Sequence, residues 1–253
     1  QQNEPREVAG SWHQIGIVYQ KAGEYEAAEA AYRRSLEIQT QNNNRAGQAD
    51  SLTQLANLYN EMGRFEEDVV FSRQAAVIYV ALGDLWSEGT ARNNIADTLW
   101  QLKRYDEARS EILRAIECKP PYGHAATPWT SFAILQQIEA ATGNETAAHT
   151  AWVQARDAYL AYRRQGGYAQ TGGGRLVDDV LGLLSQQKSD EVNALFNQLT
   201  QDPNTPDPFK LFIQAIITIL TGSPNPALAD NPALYYADAA EILFLIDRLQ
   251  PPS

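Results

Sequence analysis

Residues 11–32 read SWHQIGIVYQKAGEYEAAEAAY, and this stretch decides the fold. Its apolar residues Trp12, Ile15 and Tyr19 recur at spacings of three and four, which is the pattern of an amphipathic helix. Gly23 interrupts that pattern as a turn residue, because glycine adopts left-handed conformations without a Cβ penalty. A second amphipathic stretch follows the turn. The segment therefore predicts two helices joined by a tight connection.

The same pattern returns when the sequence is shifted by 40 positions and shifted again, with no insertion needed to keep register. Aligning the units in this way gives columns of equivalent positions. The apolar column contains Ile15, Leu55, Ile95 and Leu135, and the turn column contains Gly23, Gly63, Lys103 and Gly143. The small column, which holds mostly small residues, contains Ala28, Asp68, Ala108 and Ala148. Small residues let paired helices approach closely, and aromatic residues fill the space between units. A supersecondary unit repeated at this period predicts a stacked solenoid.

The first unit reads W-x2-I-G-x2-Y, then a Gly turn, then Y-x2-A-x3-Y, and resembles the tetratricopeptide repeat. The period of that repeat is about 34 residues, so each helix here gains roughly a turn, as in the similar repeats of kinesin light chains and bacterial peptide-sensing regulators. The resemblance implies an all-α fold: a right-handed α-α superhelix of four helix-turn-helix repeats with a C-terminal helical cap. The four repeats are expected at about 7–45, 46–85, 86–124 and 125–165.

The fourth unit departs most from the pattern, because Gln136, Glu139 and Glu145 occupy columns that are elsewhere apolar or small. Such a unit is typical of a divergent terminal repeat. Between the third and fourth units, KPPYGHAATP at 119–128 predicts an interruption, with its prolines ending one helix and Pro128 opening the next.

A glycine-rich linker is predicted at 166–175, where Gly172–Gly174 are expected to be loop residues. Residues 176–253 leave the 40-residue register and predict four helices, two of them opened by Asp190 and Asp207 as N-caps. The last two predicted helices are apolar over most of their circumference and must be buried. They either cap the repeat array internally or form a homodimer or interdomain face.

The tail, which follows AYLAYRRQGG, resembles the ends of some bacterial multidomain signalling proteins. That resemblance, and a chain beginning at Gln1, favour the C-terminal part of a longer cytoplasmic protein with an effector domain upstream. The most apolar stretch, FKLFIQAIITIL at 209–220, is shorter than the ~18 residues that a membrane span needs. We therefore expect no membrane partner.

Composition excludes several other classes of protein. The net charge of -11 argues against nucleic-acid binding, and a single cysteine, Cys118, excludes an internal disulfide. His13, His124 and His149 are far apart in sequence, so no metal site is expected. The stretch GGYAQTGGGR lacks the GxxxxGK[ST] arrangement of a phosphate loop. Cys118 beside Lys119 is expected to be an inert thiol, and we predict neither catalysis nor a cofactor.

The first helix of each repeat is expected to line a concave groove rich in amides, which offer both a donor and an acceptor to a peptide backbone. The predicted groove residues are His13, Gln14, Ile17, Gln20, Lys21, Thr53, Gln54, Asn57, Asn60, Asn93, Asn94, Asp97, Trp100 and Gln101. Lys21 is the sole cation among them, which disfavours a carboxylate clamp. The predicted function is a scaffold or sensor that binds a protein or peptide; the alternative is an oligomerisation module that dimerises through the apolar C-terminal helices.

Overall fold

A computed structural model describes residues 4–222 and 224–250 of the chain. These residues form α-helices and two short 3₁₀ helices, which confirms the predicted all-α class. The helices are α1 Glu4–Lys21, α2 Tyr25–Gln41, α3 Arg45–Glu61, α4 Phe65–Leu82, α5 Leu85–Gln101, α6 Tyr105–Cys118, α7 Pro128–Ala141, α8 Glu145–Arg164, α9 Gly172–Ser185, α10 Ser189–Gln201, α11 Asp207–Thr221 and α12 Tyr236–Leu249, with 3₁₀ helices at Pro120–Ala126 and Pro226–Asp230. Within the described ranges, no helix has both the length and the apolarity to cross a bilayer.

The chain divides into two compact units. The first contains the residues up to Ala126 together with Gln137–Gly143, and the second contains Thr127–Gln136 together with the residues from Asn144 onward. Helix α7 therefore contributes its first part to the second unit and its last part to the first.

In the first unit, α1 pairs with α2, α3 with α4, and α5 with α6, while α2 packs on α3 and α4 on α5. This is the stacking predicted from the repeat. The small columns are buried: Ala28, Ala56, Ala96 and Ala108 have at most 1% of their surface exposed. Gly16 shows why the column is small, since a Cβ at that position would lie 2.5 Å from the ring of Tyr32.

The turn column adopts one backbone conformation in all four repeats. Gly23, Gly63 and Gly143 have φ values of 77°, 71° and 74°, and Lys103 follows them at 60° although it carries a side chain. The fold therefore places Lys103 in a conformation that disfavours L-residues with a Cβ.

Helix α1 differs from the equivalent helices in its exposure. The apolar face of α3 is covered by α2, whereas no helix in the described part of the chain covers the same face of α1. The exposed fractions are 37% for Trp12, 38% for Ile15 and 37% for Tyr19, against 5% for Leu52 and none for Leu55 and Tyr59.

Polar departures from the repeat are paired with one another across neighbouring repeats. Glu139, 5% exposed, accepts two hydrogen bonds from Arg109, at 2.6 Å from Nε and 3.0 Å from Nη2. The equivalent pair one repeat earlier is Val69 and Leu99, both buried. A carboxylate in this column is therefore accommodated because a guanidinium occupies the facing column.

The second unit has a core of its own. Trp129, Trp152 and Tyr159, from α7 and α8, pack with apolar side chains of α9–α12. The prediction that the last two helices bury their apolar faces is confirmed, since Phe212, Ile216 and many residues of α12 belong to this core.

Two local predictions in this unit are wrong. Gly172–Gly174 are not loop residues, because α9 begins at Gly172 with Thr171 as its N-cap, and the Thr171 hydroxyl accepts the amide of Gly174 at 3.1 Å. Asp190 and Asp207 are not N-caps either, because Lys188 and Pro206 occupy those positions and each aspartate lies inside its helix.

The glycines of α9 are needed for contact with buried acids of α12. A Cβ on Gly173 would overlap Asp238 Oδ1, and one on Gly174 would lie 2.6 Å from Glu241 Oε1. Burial raises the pKa of Asp238 to about 6 and that of Glu241 to about 7, although Arg163 forms an ion pair with Glu241 at 2.9 Å. The Tyr159 hydroxyl also donates to Glu241. These acids are enclosed by the core of the second unit.

Candidate partner-binding groove

The first unit contains a groove with a volume of about 560 Å³, within the range typical of ligand sites. Side chains from the first helices α1, α3 and α5 line it, joined by one residue at the start of α4. The lining residues are Ile17, Gln20, Lys21, Gln54, Asn57, Asn60, Glu61, Asp68, Asn94, Asp97 and Thr98. Ile17 is the one apolar residue among them, so hydrogen bonding and charge dominate the chemistry of the groove.

Most of the residues predicted from sequence are brought together in this groove. They are Ile17, Gln20, Lys21, Gln54, Asn57, Asn60, Asn94 and Asp97. Their spacing along α1, α3 and α5 repeats at 40 residues, as in Ile17, Asn57 and Asp97, and this places corresponding side chains next to one another across the stacked helices.

The remaining predicted residues lie outside the lining. The ring of His13 packs edge-on against Tyr32 at 5.8 Å, and the Thr53 hydroxyl lies 3.2 Å from that of Tyr79. Gln101 donates to Asp97 at 3.1 Å and so touches the groove through a lining residue. Gln14 is exposed on α1, while Asn93 and Trp100 are half-buried on α5.

The floor of the groove is a hydrogen-bond network around Asp68, which is 3% exposed. Its Oδ2 accepts the Thr98 hydroxyl at 2.6 Å and the Asn60 amide at 2.8 Å, and its Oδ1 accepts the Ser72 hydroxyl at 2.9 Å. A buried carboxylate is tolerated when donors satisfy it. Asp68 therefore orients Asn60 and Thr98 and places a negative charge beneath the groove.

The amides of the groove fall into two groups. Gln20 is held at both ends, since Tyr32 donates to its Oε1 at 2.7 Å and its Nε2 donates to Glu61 at 2.8 Å. Burial raises the pKa of Tyr32 to about 12, which keeps that hydroxyl a donor. By contrast, the amides of Gln54, Asn57 and Asn94 have no hydrogen-bond partner within the described residues. Their donors and acceptors are therefore available within the groove.

Sequence reasoning missed Glu61, Asp68 and Thr98. Asp68 did carry a signal, because it departs from the small column of the repeat. Thr98 carries the matching signal, because it occupies the position equivalent to Leu58 in a column that is otherwise apolar. Its side chain faces Asp68 from the next repeat. Comparing facing columns would have identified the pair.

Outside the groove, Cys118 and Lys119 are the adjacent reactive side chains that the sequence brings to attention. Cys118 is 1% exposed, and burial raises the pKa of its thiol, as expected for an inert cysteine. Burial lowers the pKa of neighbouring Lys119 to about 8. Among the described residues, no group of three or more His, Cys, Asp or Glu side chains is arranged to hold a metal ion.

A family profile described as tetratricopeptide repeat matches residues 7–67, and a second profile with the same description matches residues 89–122. The chain carries tetratricopeptide repeats. Comparison with curated proteins finds no match to this sequence. Repeats of this family build protein–protein interaction scaffolds and are in general non-catalytic. The matched repeats therefore support a scaffold for protein–protein interaction.

Solved structures similar to the chain share this fold. The crystal structure of BtubC (BKLC) from P. vanneervenii superposes with a TM-score of 0.58 at 18% identity, covering 66% of this chain and 68% of that chain. The apo form of RapI superposes with a TM-score of 0.55 at 14% identity, covering 96% of this chain and 85% of that chain. At these identities the likeness concerns the fold, and it extends beyond the residues matched by the repeat profiles.

Proposed function

We propose that the tetratricopeptide array binds a segment of a protein partner in the groove between α1, α3 and α5. The observation that carries this proposal is the set of amides of Gln54 and Asn57 on α3 and of Asn94 on α5, which line the groove and have no partner among the described residues. An amide offers a donor and an acceptor together, which suits the backbone of a peptide. Asparagine is also a poor helix former, so its use inside α3 and α5 has a cost in helix propensity that a binding role would explain.

A role as the scaffold or sensor region of a larger bacterial signalling protein in the cytoplasm is part of this proposal. Its support is the resemblance of the tail to such proteins. In the second compact unit the tail packs on α8, and the two share one hydrophobic core.

The alternative is homodimerisation through the apolar C-terminal helices. Most apolar side chains of α11 and α12 are already buried within the second unit, although Leu211, Leu249 and the α12 N-cap residue Tyr235 remain 44%, 37% and 50% exposed. Light scattering over a concentration series tests this alternative directly: a mass that doubles with concentration supports it, and a constant monomer mass rejects it.

The groove is tested by substituting Asn57→Ala and Asn94→Ala together and probing an array of short random peptides. Neither side chain has a hydrogen-bond partner to lose in the part of the chain that the structure describes, and alanine favours the helix, so the variant should remain folded. The matched control is Asn193→Ala with Asn197→Ala, the same change on an exposed face of α10.

The proposal expects the unaltered protein and the control to retain the same peptides, and the groove variant to lose them. Circular dichroism confirms that both variants keep their helix content. Retention of the same peptides by the groove variant would place the interaction elsewhere.

A further inference from the structure

The groove carries an imbalance of charge. Glu61, Asp68 and Asp97 contribute three carboxylates to its lining, and Lys21 contributes one ammonium group. The cation lies on α1 at one side of the groove, whereas the carboxylates come from α3, α4 and α5. The groove thus has an acidic region over the second and third repeats.

These carboxylates lack counter-ions, in contrast to many others in the same unit. Acids outside the groove are neutralised by arginines at 2.6–2.8 Å, in the pairs Arg33 with Glu29, Arg92 with Glu111, Arg109 with Glu139 and Arg114 with Glu88. No Lys, Arg or His nitrogen lies within 4.0 Å of the Glu61, Asp68 or Asp97 carboxylates in the ranges 4–222 and 224–250. Three carboxylates and one ammonium group therefore leave the groove lining with a net negative charge among the described residues.

The three carboxylates differ in what they can contact. Asp68 is buried beneath the floor and already accepts three hydrogen bonds, so it acts through its field. Glu61 accepts one amide from Gln20, and Asp97 accepts one amide from Gln101. A carboxylate has about four acceptor positions, so Glu61 and Asp97 retain capacity for further donors.

We infer that the segment bound in this groove carries a lysine or arginine side chain that pairs with Asp97 and Glu61, while its backbone engages Gln54, Asn57 and Asn94. A recess lined by one sign of charge focuses the potential and favours a ligand of the opposite sign. Complementary charge across an interface selects partners and fixes their register. The inference rests on the proposed function, because it specifies the chemistry of the segment that the groove binds.

The test uses the random peptide array with Asp97→Lys and with Glu26→Lys as its matched control. Glu26 is an exposed acid of α2 outside the groove lining, so both variants change the net charge equally. Peptides retained by the unaltered protein are expected to be enriched in lysine or arginine at one position. Asp97→Lys should weaken the best of these peptides by about tenfold or more in fluorescence anisotropy, and Glu26→Lys by less than about twofold.

Reversing both charges sharpens the test. Replacing the basic residue of that peptide by glutamate should weaken its binding to the unaltered protein and restore its binding to the Asp97→Lys variant. The charge inference is overturned if the retained peptides show no preference for a basic residue, or if Asp97→Lys and Glu26→Lys change that preference equally. In either case, Asn57→Ala with Asn94→Ala still tests whether the peptides bind in the groove. An array that retains no peptide overturns both the inference and the proposed function.

Discussion

The Thr98 hydroxyl donates a 2.6 Å hydrogen bond to Asp68 Oδ2 across the boundary between the second and third repeats. In the 40-residue register, Asp68 stands where the first repeat has Ala28, and Thr98 stands where the second repeat has Leu58. Ala28 and Leu58 meet in an apolar cluster. One interface of the array has thus exchanged an apolar contact for a polar one, and the polar contact forms the floor of the groove.

The Asp68–Thr98 pair should behave as a coupled unit. Asp68→Ala alone should lower the free energy of unfolding by about 1–3 kcal/mol, because Thr98 and Asn60 lose their common acceptor. Asp68→Ala with Thr98→Leu should recover most of that loss by recreating the contact of the preceding interface. Urea unfolding followed by circular dichroism measures these two variants and Thr98→Leu alone, and strictly additive effects would show that the pair is not coupled.

The ion pair between Arg109 and Glu139 offers a parallel test. Glu139→Ala should destabilise the protein by about 1–3 kcal/mol, because it removes the buried carboxylate that accepts two hydrogen bonds from Arg109. Arg109→Val with Glu139→Leu should lie within about 1 kcal/mol of the unaltered protein, because Val69 and Leu99 already pack this way. Equal losses in the single and double variants in urea unfolding would contradict this account.

Lys103→Gly should stabilise the protein by up to about 1 kcal/mol. The φ of Lys103 is 60°, so glycine relieves the Cβ penalty, partly offset by the greater freedom of glycine in the unfolded chain. Lys188→Gly is the control, since its φ of -99° is ordinary, so that only the entropic loss and the loss of an exposed ion pair with Glu191 remain. Thermal unfolding should show the two variants shifting in opposite directions.

The first turn of α9 distinguishes two adjacent glycines. Gly173→Ala should destabilise the second unit by about 1–3 kcal/mol, because the new Cβ would overlap Asp238 and crowd Phe212 at 3.1 Å. Gly172→Ala meets no atom within 4 Å and should be neutral or stabilising, since alanine favours the helix. Amide hydrogen exchange in α9 and α12 measures the difference in stability. Similar exchange in both variants would show that the close approach of Asp238 to Gly173 does not make this position sensitive to a Cβ.

Asp238 should make the second unit less stable as pH rises. Its pKa is raised from 3.8 to about 6 by burial, so the folded state binds the proton more tightly than the unfolded state. The stabilising effect of protonation is full below pH 4 and is lost as pH rises through about 6. Asp238→Asn should match the unaltered protein at pH 4 and be more stable at pH 8, by roughly 3 kcal/mol at most.

The control for this prediction is Asp179→Asn, because Asp179 is an exposed acid of α9. Hydrogen exchange in α12, measured at both pH values, should show a pH-dependent difference for Asp238→Asn alone. A difference of equal size at pH 4 and pH 8 would mean that titration of Asp238 is not its source.

The sequence by itself determined the repeat and most of the groove. Helical spacing and the 40-residue register depend on local chain geometry, so they place Ile17, Asn57 and Asp97 on corresponding faces of successive helices. The turn column could be predicted for the same reason, because the positive φ of Gly23 and the equivalent glycines depends on backbone sterics alone.

Only the tertiary structure decided which departures from the repeat compensate one another and which faces are covered. Asp68 meets Thr98, and Arg109 meets Glu139, through contacts between helices that a single column does not reveal. The α9 glycines look like a linker in sequence, yet they are helical, and their lack of a Cβ lets the acids of α12 approach their backbone closely. Local propensity describes a residue and its near neighbours, whereas burial and charge pairing depend on side chains brought together from distant parts of the chain.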